Sequence, residues 1–174
     1  MNVAPSLPNG IDRDQIVETP GPPAGSAAMI VLSTLLIAAL LGWLGGASPE
    51  RYTSVGDEAD IVVTMPGILR SGMFFETQID ITARKAIDDA TIAVSPALWR
   101  SITINTQFPE PAEQVFKDGF YQFHYGRLEV GEHIRLKLDA QINPDLFLGN
   151  SGEIVLRDGD HKIARFPVTL TVLP

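Results

Sequence analysis

The chain of 174 residues contains no cysteine. Disulfides, thiolate metal centres and cysteine nucleophiles are thereby excluded, and the redox compartment is left open. Histidine is scarce: His124, His133 and His161 are the three present, and none belongs to an HxH or HExxH pattern, whereas a metal ion demands three or four convergent ligands. No serine lies in a GxSxG elbow and no glycine-rich phosphate loop occurs, so nucleophilic acyl transfer and nucleotide chemistry find no motif. An excess of basic charge is missing as well. The formal net charge is −8, and residues 48–174 carry 12 Lys or Arg against 18 Asp or Glu. Nucleic acid and anionic lipid surfaces are therefore poor partners for that segment. Together these absences lead us to expect a non-enzymatic protein with no catalytic residue, no cofactor, no metal and no nucleic-acid partner.

Charge is also absent from residues 24–47, AGSAAMIVLSTLLIAALLGWLGGA. As a helix this stretch would be about 36 Å long at about 1.5 Å per residue, enough for a hydrocarbon core of about 30 Å. The reading is a transmembrane helix. A cleaved signal peptide is the competing reading, with small residues Gly46, Ala47 and Ser48 at the cleavage position, but the preceding 23 residues are net negative where a secretory leader is short and basic. Arg13 and Arg51 flank the stretch singly, so loop charge does not set the orientation. The expected location is the cell inner membrane, single-pass, with the C-terminal domain periplasmic or extracellular. Within the stretch, Thr34, Ala38, Gly42 and Gly46 recur every four residues, a small-residue face on which a membrane protein partner, or a second copy of the helix, would dock. Residues 1–23 hold five prolines and two glycines and read as a disordered polar tail. Residues 48–60 read as a linker.

From residue 61 the period changes to two. Ile61 to Met65 is a β-branched run stopped by Pro66-Gly67, a turn signal. Phe75, Thr77, Ile79, Ile81 and Ala83 alternate with polar residues, as do Ile134, Leu136, Leu138, Ala140 and Ile142, and then Ala164, Phe166, Val168, Leu170 and Val172. Each series is a strand with one wet and one buried face. Further strands are expected over residues 91–95, 100–106, 119–126 and 153–157, with Asp158-Gly159 as a hairpin turn. Residues 109–117 read as a loop. Seven or eight strands at this spacing make an all-β fold, an immunoglobulin-like antiparallel β-sandwich over residues 61–174, preceded by the single transmembrane helix.

The run LEVGEHIRLKLDAQINP, residues 128–144, together with the closing strand FPVTLTVLP, residues 166–174, resembles bacterial cell-surface domains of the immunoglobulin-like, adhesion-type class. The resemblance implies a spacer or binding module and brings no active-site residues with it.

Binding candidates follow from the aromatics. Trp99 lies between two prolines and is expected near the core, or else as a stacking platform for a sugar. With Tyr121, Phe123 and Tyr125 facing inward, Phe120 and His124 fall on the opposite face beside Arg127, either as a partner patch or with Phe120 sheltered under the 109–117 loop. Asp158 and Asp160 offer two carboxylates, too few for calcium, which takes six to eight oxygens. Two functions result: a non-enzymatic interaction or accessory module of a membrane complex, or a small-ligand or carbohydrate-binding sandwich at the cell envelope.

Overall fold

The computed structural model describes residues 24–44 and 49–174. Its one helix, α1 (Ala24–Leu40), has 17 residues and is about 26 Å long at about 1.5 Å per residue. Among the described residues no helix is long and apolar enough to cross a membrane. This corrects the expected transmembrane span and the single-pass membrane architecture built on it. The physical stop is Gly42. Its φ is 77°, its N–H donates to the Ala39 carbonyl at 3.0 Å, and the Trp43 N–H reaches back to the Ala38 carbonyl at 3.0 Å. This pair of bonds, 5→2 and 6→1, is the Schellman closure, in which a left-handed residue satisfies the last carbonyls and ends the helix. Thr34 spends its hydroxyl on the Ile30 carbonyl at 2.8 Å. Gly42 therefore lies past the end of the helix, so Thr34, Ala38 and Gly42 do not form one helical face, and Gly46 lies outside the described residues. Met29, Ile30, Leu32, Leu36 and Leu40 are all more than half exposed.

The remainder is a two-layer β structure. Its strands are β1 (Glu50–Val55), β2 (Ala59–Met65), β3 (Ile68–Arg70), β4 (Phe74–Ala83), β5 (Ala90–Val94), β6 (Ile102–Phe108), β7 (Glu113–Lys117), β8 (Phe120–His124), β9 (His133–Ile142), β10 (Leu148–Asp158) and β11 (His161–Leu173). One sheet has the order β1-β2-β4-β9-β6 and the other β3-β11-β10-β5-β8-β7. The sandwich expectation stands, with two corrections to its form. Strand β3 pairs with β11 in parallel, so the sheets are not wholly antiparallel as expected, and among the described residues eleven strands stand where seven or eight were expected. Within the expected linker, β1 pairs along its whole length with β2, from Glu50 opposite Met65 to Val55 opposite Asp60.

The strongest alternations built the core. Ile79 sits opposite Leu136 and Ile81 opposite Ile134 in the β4–β9 ladder, and Ile79, Ile81, Leu136, Leu138, Phe166 and Leu170 are buried. Phe75 packs against them from the margin. On the outer face of the same ladder, Asp80 gathers donors: Arg135 Nε at 2.6 Å, Gln78 Nε2 at 2.6 Å and His133 Nε2 at 3.2 Å. Burial pushes the Asp80 carboxyl up, but the hydrogen bonds from Arg135 and Gln78, the Arg135 charge and the His133 contact outweigh it and hold it below the usual carboxylate range. A carboxyl more acidic folded than unfolded stabilises the fold above its unfolded pKa and loses that contribution as pH falls through its folded pKa. Asp80→Asn is accordingly expected to cost about 1–2 kcal/mol at neutral pH, measured by urea unfolding. The gap to the parent should shrink as the pH is lowered past the carboxylate range; a gap that stays constant would contradict the assignment.

Candidate functional site

β6 and β7 are each the edge strand of one sheet, and residues of both line one groove. Its volume is about 440 Å³, and its walls are Trp99, Ile104, Asn105, Thr106, Gln107, Glu110, Pro111, Gln114, Tyr121 and Phe123. Local sequence explains each wall. Ile102 and Ile104 turn inward on β6, and a register shift follows between Ile104 and Thr106. Such a bulge puts two residues opposite one and reverses the alternation beyond it. Asn105 and Thr106 are both exposed as a result, and Gln107 turns back toward the interior, where its Nε2 donates to the Tyr125 hydroxyl. Burial raises the Tyr125 pKa, with the Gln107 bond pulling the other way.

The opposite wall is a hairpin. Residues 109–117, expected as a loop, contain β7, which runs antiparallel to β8 with Lys117 opposite Phe120. Asp118 and Gly119 make the turn with φ of 53° and 79°, the two positive values of a type I′ hairpin. The hairpin brings Phe116 against Tyr121, with centroids 5.2 Å apart and planes at 58°. Tyr121 lies nearly parallel to Trp99, at 6.1 Å and 22°. Trp99 is tilted over Phe123, at 5.3 Å and 56°. The four rings form a continuous series from solvent to core: Phe116 is 62% exposed, Tyr121 41%, Trp99 half-buried, and Phe123 7%. Trp99 is held from below because Leu98, its neighbour in the β5–β6 connection, is buried in the core. Behind the groove the core is closed, leaving a void of about 20 Å³, room for about one water and no ligand.

None of the other candidates, Phe120, His124 and Arg127, lines the groove beside Trp99. His124 lies at the far end of β8 from Phe120, about 13 Å along the strand at 3.3–3.4 Å per residue. Its Nδ1 is 2.6 Å from Asp89 Oδ2 and 3.0 Å from the hydroxyl of the buried Thr91. Asp89 in turn donates its N–H to Asp158 Oδ1 at 2.9 Å. Arg127 is bound to Glu129 and Asp88, each at 2.7 Å; its hydrogen bond to Glu129 and the charges of Glu129 and Asp88 raise its pKa. His124 and Arg127 thus tie the end of the sandwich together. Phe120 is half-buried beside Lys117 in the hairpin. The residues that sequence reasoning missed are Phe116, Tyr121, Gln114, Asn105 and Glu110. The Asp118-Gly119 pair was the signal that could have found the first three, since it turns residues 113–124 into one hairpin.

No protein family matches this chain, and no curated protein matches it. Among solved structures, the chitin-binding domain of the hyperthermophilic chitinase from Pyrococcus furiosus is similar at 15% identity, with a TM-score of 0.39 over 64% of this chain and 98% of that one. A likeness of that degree carries no inference about this chain's ligand.

Aromatic rings offer apolar faces, and the exposed amides of Asn105 and Gln114 supply both donors and acceptors. Glu110 is the one carboxylate in the lining, and no nucleophile and base stand paired there among the described residues.

Proposed function

We propose that the sandwich is a non-enzymatic carbohydrate-binding module and that the groove beside Trp99 takes the sugar. The observation that carries this reading is the Tyr121–Trp99 pair in the wall of an open groove rimmed by side-chain amides, with Phe116 packed against Tyr121. A sugar ring has an apolar C–H face and a hydroxyl rim. The rings suit the first, and amides, which donate and accept at once, suit the second. A glycoside hydrolase of the common two-carboxyl kind places a carboxyl group on each side of the scissile bond, and the lining has one.

A second reading has its own support. Strand β6 is a sheet edge of seven residues, Ile102–Phe108, with no charged side chain and no proline, features that leave an edge open to an added strand. A protein partner laying an extended segment along β6 would cover the same groove.

The test is retention of the full chain, in mild detergent, on insoluble neutral polysaccharides. The carbohydrate reading expects depletion from solution that soluble oligosaccharide reverses. No depletion on any polysaccharide would sink it and leave the strand-addition reading in its place.

A further inference from the structure

The groove has a sign. None of its ten lining residues is Lys, Arg or His, and its single ionised side chain is Glu110. The cations nearest in sequence to its walls are engaged elsewhere: Lys117, at the end of β7, is bound to Asp160 at 3.2 Å, and Arg100, next to Trp99, donates to Asn150 Oδ1 at 3.2 Å. Glu110 is exposed, lies between Pro109 and Pro111, and forms no ion pair among the described residues. Proline fixes φ on both sides of it, and Pro111 is buried, so the segment carrying the carboxylate is anchored at the mouth of the groove. The long-range field points the same way, since residues 48–174 carry 12 basic against 18 acidic residues.

Resting on the carbohydrate reading above, we infer that Glu110 makes the groove selective by charge: it prefers glycans bearing free amines, accepts neutral ones, and rejects those bearing carboxylates or sulfates. An ammonium on the sugar ring that stacks beside Tyr121 gains a carboxylate partner at the rim. A uronic acid in the same place meets a like charge with no cation in the lining to offset it. Because the pair forms at an exposed site, its contribution is modest and falls with added salt.

Affinities of the full chain are to be measured by calorimetry for three soluble oligosaccharide probes of equal length: glucosamine, N-acetylglucosamine and galacturonic acid oligomers. The expected order at low salt is amine-bearing, then neutral, then acidic, with the amine preference about two- to fivefold, the range of an exposed ion pair, and fading at high salt. Glu110→Gln should bring the ratio of amine-bearing to neutral affinity close to one, and Glu110→Lys should move the acidic probe up the order. An unchanged ratio in Glu110→Gln, or an acidic probe bound best by the parent, overturns the charge inference while leaving carbohydrate binding intact. Failure of the parent to bind any of the three overturns the charge inference, and no depletion on any polysaccharide overturns the carbohydrate reading with it.

Discussion

Tyr121→Ala is expected to weaken glycan binding by about tenfold or more, or roughly 1.4 kcal/mol, while the fold loses only about 1 kcal/mol. The asymmetry follows from where the ring sits. Tyr121 is 41% exposed and stands between Phe116 and Trp99, so its removal opens the middle of the aromatic series without hollowing the core. Tyr121→Phe should keep most of the affinity, because the ring face does the stacking. Trp99 is the less clean probe: it packs on the buried Phe123, and truncating it would cost stability and binding together, about 3 kcal/mol of the former. Titration of the Tyr121→Ala protein with the same oligosaccharides, beside a thermal melt, separates the two effects. Parent-like affinity would remove Tyr121 from the site.

The largest expected loss of stability lies elsewhere, at Gly149. Its φ is 109°, a region that side chains other than glycine's rarely enter. A Cβ there would stand 1.8 Å from the Leu170 carbonyl oxygen and 2.8 Å from the Leu170 carbonyl carbon. Both obstacles are backbone of β11, paired in the longest ladder of the molecule, and neither can rotate away. Gly149→Ala combines backbone strain with overpacking and should cost about 4 kcal/mol, seen as a fall in Tm on the order of 15 °C. A melt within two or three degrees of the parent would mean that β10 and β11 separate easily there.

What could be read in the residues depended on how pure the local pattern was. β4, β9 and β11 alternate over most of their length, and their inward residues are buried in the core. β7 is hard to see in the sequence because its five residues, EQVFK, carry charge at both ends; an edge strand has only one neighbour to satisfy and tolerates polar residues. Parity puts Tyr121 inward, yet on β8 both Gln122 and Phe123 are buried while Tyr121 is exposed. Gln122 is drawn in by its bond to the Lys117 carbonyl, a contact that exists only once the hairpin has formed. The bulge at Asn105 reversed the alternation on β6 in the same hidden way. In the apolar stretch, composition outweighed punctuation: 24 residues without charge suggested one long helix, and Gly42, at the position where helices commonly close, ended it. The groove itself was only partly legible. Trp99 stands out in the sequence, but its companions come from a strand and a turn that pairing, not periodicity, defines.

Fluorescence of Trp99 tests the central claim most directly. The chain has two tryptophans, Trp43 and Trp99, so full-length Trp43→Phe protein reports on the groove alone. Carbohydrate binding there predicts that saturating oligosaccharide shifts the Trp99 emission to the blue and shields it from iodide, with a midpoint matching the calorimetric affinity and lost in Tyr121→Ala. If the oligosaccharide binds and the Trp99 emission and quenching stay unchanged, the sugar sits elsewhere on the molecule and the assignment of the groove is wrong.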